Sequence, residues 1–204
     1  TQGVSSAASD VYKRQHPALA AGMNWNLLSD ASARVTAMST GTIQAMEDVP
    51  YIDVDSLASA ADVESVQSFG LLFMMFNTKA APFDDVRVRQ AMHYALDMDK
   101  IIETGMLGNA TPATSFLPET YPNYNEASTV YSYDPEKAEE LLAEAGVDDL
   151  SITLLTTDTG WVKEVAPLIK ESLDAIGIDT TLDIGQSASC LLYTSDAADD
   201  TPCV

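Results

Sequence analysis

Apolar and polar positions change their spacing repeatedly along the chain, and each change marks an expected element. Met23 to Leu28 (MNWNLL) alternates apolar and polar residues, as a half-buried strand does. Ser29 or Asp30 then offers a cap to a helix with Ala33 and Val35 to Met38 on one side and Gly41 as its stop. Thr42 to Val49 reads as a short strand and turn ended by Pro50. Asp53 and Asp55 precede a short helix over Ser56 to Ala61, and Val63 to Gln67 has the composition of a sheet segment. Phe69 to Phe76 (FGLLFMMF) is a continuous apolar run, too short for a bilayer span. Its aromatic content predicts a strand buried on both faces.

The second half is more regular. Asp84 or Asp85 opens a helix with Val88, Ala91, Met92, Ala95 and Leu96 on one face, and Asp97 caps a further helix carrying Ile101 and Ile102 that Gly105 and Gly108 close. From Asn109 to Tyr133 the Pro, Tyr, Asn and Thr content predicts a long irregular connection, which in a compact domain covers a site or packs as an ordered loop. Asp134-Pro135 puts a cap and a first-turn proline ahead of Ala138, Leu141, Leu142 and Ala145, and Gly146 supplies the stop. Ser151 to Thr156 is a β-branched strand, Trp161 to Ile176 carries an apolar stripe, and Ile178 to Ile184 alternates again. A strand, helix and strand of these lengths predict a parallel pair joined by a right-handed crossover, so the class is α/β or mixed.

Composition changes the picture at the ends. Ser5 to Gln15 (SSAASDVYKRQ) and Cys190 to Asp200 (CLLYTSDAADD) can be encoded by opposite strands of one DNA sequence, an inverted repeat resembling the transposase adapter of sequencing libraries. The expectation is that residues 1–15 and 190–204 are adapter-derived, leaving a natural fragment from Gln15 or His16 to about Ser189 without its own start or stop. Both cysteines, Cys190 and Cys203, fall in or beyond the second segment, so neither a disulfide scaffold nor thiol catalysis is expected. Four acids (Asp10, Asp196, Asp199, Asp200) and two bases (Lys13, Arg14) also lie there, which takes the formal charge from −21 to −19. The remaining acidity disfavours nucleic acid and anionic membranes as partners.

Four stretches, in order, carry a family resemblance. Phe76 to Asp97 (FNTKAAPFDDVRVRQAMHYALD) is similar to the signature of the family 5 extracellular solute-binding proteins. Met38 to Val49 (MSTGTIQAMEDV), Tyr133 to Gly146 (YDPEKAEELLAEAG) and Leu173 to Ile178 (LDAIGI) resemble three further elements of that family. The resemblance implies a fragment of a type II periplasmic-binding-protein fold, with mixed sheets flanked by helices in two lobes that close on a ligand. On this reading residues 16–68 are the tail of lobe one, 69–77 the strand crossing between lobes, and 78–189 most of lobe two. It implies a periplasmic or extracellular receptor, with or without a lipid anchor, monomeric at full length. Such a receptor takes a peptide or similar small solute without any cofactor and hands it to the permease subunits of an ABC transporter. A sensory binding module of the same fold is the alternative. No activated nucleophile, catalytic carboxylate pair or metal-ligand cluster can be read along the chain, which argues against an enzyme.

The candidate ligand residues come from two places. Side chains alternate along a strand, so Phe73, Met75 and Asn77 share one face of the crossing run. By resemblance that face meets the ligand, and burial in the core is its other reading. Thr157, Asp158, Gly160 and Trp161 lie at the carboxyl end of a parallel strand and the start of a helix, where open α/β sheets place ligands and where backbone amides receive a carboxylate. Trp161 is otherwise a surface helix residue. Arg87 and Arg89 stand two apart and point to different helix faces, which favours pairing and capping with Asp84 and Asp85 over a carboxylate clamp. His93 has no nucleophile or second histidine at hand and is assigned a packing role.

Overall fold

A computed structural model describes residues 22–158 and 160–185. The segments read as adapter-derived lie outside the described residues. The chain divides into two compact units, one through Val63 and one from Glu64 onward.

In the first unit α1 spans Ala31–Ser39, and the carboxylate of Asp30 accepts the amide of Ala33 at 2.7 Å, answering one of the first-turn donors that no helix satisfies internally. A 3-10 turn over Tyr51–Asp53 runs into α2, Val54–Ala58, whose Leu57 is buried. The helix therefore starts two residues before the expected Ser56, because Pro50 fixes the turn that feeds it. Three expected strands do not form. Trp25 makes a single bridge within Met23 to Leu28, and Thr42 to Val49 and Val63 to Gln67 are irregular. Among the described residues no ladder runs alongside these stretches, alternation alone makes no strand, and Leu27 is 93% exposed.

The second unit holds most of the core. Asp85 caps α3, Val86–Ala95, and Val88, Ala91, Met92 and Ala95 are its buried face. Asp97 caps α4, Met98–Lys100, which passes into a single wide turn over Ile101–Gly105. Asp134 caps α5, Pro135–Glu144, accepting the Lys137 amide at 2.9 Å. After β1, Ser151–Thr157, the crossover helix α6 spans Gly160–Ala175 and β2 spans Asp179–Gly185. The two strands are parallel in the register Ser151 opposite Asp179 through Thr157 opposite Gly185. Pro167 sits inside α6 at an exposed position, so the missing donor falls on the solvent side rather than in the core.

One apolar cluster ties these elements together: the buried face of α3, Ala138, Leu141 and Leu142 of α5, and Leu150, Leu173, Ile176 and Ile178 around the βαβ unit. Helices α5 and α6 end in the same way. Gly146 (φ 72°) and Gly177 (φ 84°) adopt a left-handed backbone, and the amides of Val147 and Ile178 turn back to the carbonyls of Leu142 and Leu173. Gly105 is a close approach of another kind, since a Cβ there would lie 2.9 Å from Cγ1 of Val165 and 3.1 Å from Cδ1 of Leu168. Only glycine lets the wide turn rest on α6.

Phe69 to Phe76 is not the strand expected from its composition. It forms no ladder among the described residues, and neither face is fully buried. Met74 and Phe76 pack against the core while Phe73 and Met75 are 62% and 83% exposed. The alternation of side chains survives without the sheet, because it follows from an extended backbone rather than from pairing.

Candidate functional site

The first group of candidate residues lies on this extended run. Phe73, Met75 and Asn77 are exposed on the side opposite Met74 and Phe76. Asn77 is partly committed locally, its Oδ1 accepting the Lys79 amide at 3.2 Å. Residues 65–78 contain no ionisable side chain, although charged residues make up 20% of the chain. An uncharged wall gives ligands a surface with no ion pair to offer, and the flexible Met75 thioether fits irregular shapes.

The long connection expected from Asn109 to Tyr133 packs beside that wall. Tyr121 lies against Phe69 with ring centroids 3.9 Å apart, and the Thr111 hydroxyl donates to Oε1 of Gln67 at 3.2 Å. The loop braces itself through Thr114 and Tyr124, whose hydroxyls are 2.8 Å apart. Its tyrosine content was the available signal, but the sequence holds no hint of which segment those rings cover.

The second group lies at the carboxyl end of β1. Thr157 is the last residue of the strand, opposite Gly185, and the Asp158 amide donates to the Gly185 carbonyl at 3.0 Å, extending the parallel pairing one step beyond the strand. Gly160 opens α6 and is exposed; an added Cβ there would meet nothing within 4 Å. Trp161 is half-buried in the first turn of α6. Thr157, Asp158, Gly160 and Trp161 thus stand together at a strand end and a helix start.

Neither group lines the groove found in the first unit. That groove is open, has a volume of about 1300 Å³, and is bounded by Trp25 to Leu28, one side of α1, and Thr42 and Ile43. Trp25 was not singled out from the sequence. Its place in an alternating stretch reads as strand packing, and only the folded chain brings it beside α1.

The charged residues of α3 are occupied by the fold. Arg87 donates through Nε to both carboxylate oxygens of Asp85 at 3.1 Å, and its Nη1 donates to the Glu144 carbonyl at the end of α5 at 2.6 Å. The Arg87 side chain and amide hold the Asp85 carboxyl down at about 2. Arg89 donates to the carbonyls of Phe83 at 2.6 Å and Asp84 at 3.1 Å. His93 stacks on Tyr131 at 5.1 Å and 16°, and loss of water around the ring lowers its pKa. Gln90 donates to the Tyr131 hydroxyl at 3.3 Å, so this side of α3 anchors the end of the long loop.

Comparison with known proteins places the chain. The family described as "Bacterial extracellular solute-binding proteins, family 5 Middle" matches residues 1–201. Heme-binding protein A of Haemophilus influenzae is 39% identical over 123 residues, covering 59% of this chain and 22% of that protein. The glutathione-binding protein GsiB of Salmonella choleraesuis is 32% identical over 174 residues, covering 82% of this chain and 34% of its own length. Among solved structures, the ABC transporter-associated periplasmic binding protein DppA from Helicobacter pylori, in complex with the peptide STSA, superposes with a TM-score of 0.72 at 30% identity. That match covers 82% of this chain and 33% of that one. The oligopeptide-binding protein AppA from Bacillus subtilis, in complex with a nonapeptide, gives 0.67 at 26% identity, covering 81% and 36%. The chain thus spans about a third, or less, of each of these relatives. Its βαβ unit and flanking helices are a fragment of the α/β type II periplasmic-binding-protein fold. With its four ordered sequence signatures, this likeness makes the chain a member of the family 5 bacterial extracellular solute-binding proteins.

Proposed function

We propose that the complete protein is an extracytoplasmic receptor, periplasmic or extracellular, that takes up a peptide or similar small solute between two lobes and delivers it to the permease of an ABC transporter. Residues 16–68 belong to lobe one, 69–77 cross between the lobes, and 78–189 form most of lobe two. The observation that carries the reading is the likeness, at 30% identity and a TM-score of 0.72, to a binding protein solved with a bound peptide. Work in such a receptor is done by closure, and no bond is made or broken.

The ligand face is assigned to Phe73, Met75 and Asn77 together with Thr157, Asp158, Gly160 and Trp161. The first three support the reading by their exposure on an uncharged wall. The other four support it by their position at the carboxyl end of β1 and the start of α6, where open α/β sheets place ligands.

The test is calorimetric titration of short peptides into the complete protein and two variants. Trp161→Ala should weaken binding by roughly 1–3 kcal/mol if the ring covers ligand. His93→Ala should leave affinity unchanged, because its ring is spent on Tyr131. Unchanged binding in the first variant with loss in the second would put the site on the wrong element, and turnover of the titrated solute would overturn the receptor reading.

A further inference from the structure

We draw no further inference here: the strongest candidate, the open groove of the first unit between Trp25 to Leu28 and α1, is an unpartnered face, and nothing in the structure shows what covers it.

Discussion

Replacing Leu173 by alanine is the most direct probe of how the second unit holds together. Leu173 is fully buried, and its carbonyl receives the amides of both Ile176 and Ile178, so side chain and backbone together join α6 to the start of β2. Alanine removes three buried carbons, about 2.4 kcal/mol of transfer free energy at about 0.8 kcal/mol each. The residual cavity adds to this, because close-packed surroundings relax only in part, and leucine-to-alanine changes in cores cost about 2–5 kcal/mol in total. A loss of about 3–4 kcal/mol is expected, a large share of the roughly 5–15 kcal/mol that stabilises a typical domain. Leu155, at 44% exposed on β1, is the control, and its alanine variant should lose less than about 1 kcal/mol. Urea unfolding at low protein concentration, followed by circular dichroism, measures both. Hydrogen exchange then locates the damage. Because α3, α5 and the βαβ unit share one cluster, protection in all of them should fall together in Leu173→Ala. A loss below about 1 kcal/mol, or protection lost in α6 while α3 and α5 keep theirs, would refute a single shared core.

Three further outcomes are expected. Asp85 ionises at about 2 in the folded chain against an ordinary 3.8, so the Asp85–Arg87 pair contributes stability above about pH 3.8 that drains away as the pH falls toward 2. Acid titration of Asp85→Asn should lack this component, and curves of the same shape for both proteins would count against the pairing. Gly105→Ala should destabilise by about 1–3 kcal/mol, since the new methyl meets Val165 at 2.9 Å, and a thermal melt unmoved from the parent would mean that the wide turn does not rest on α6. Finally, sequencing outward from the interior of the source gene, without library adapters, should replace the codons of Ser5 to Gln15 and Cys190 to Asp200 with other sequence. Recovery of the same codons would sink the adapter reading.

What the sequence determined by itself is the set of elements whose signals are local. Helices α1, α3, α4 and α5 begin where an aspartate can answer its own first-turn amides, at Asp30, Asp85, Asp97 and Asp134. Helices α5 and α6 end where a glycine can turn left-handed, at Gly146 and Gly177. Neither signal needs a distant partner. The parallel pairing of β1 with β2 was also legible, because a helix of the length of α6 between two short strands leaves few ways to close. The stretches Met23 to Leu28, Thr42 to Val49 and Phe69 to Phe76 have strand composition but form no ladder among the described residues, and composition carries no information about neighbours. For the candidate site, alternation put Phe73, Met75 and Asn77 on one face, and folding left that face open while Met74 and Phe76 turned to the core. Only tertiary structure set Tyr121 against Phe69, seated Gly105 on Val165 and tied Arg87 to the last turn of α5. Each of those contacts joins residues far apart along the chain, and nothing short of the folded backbone fixes the distance between them.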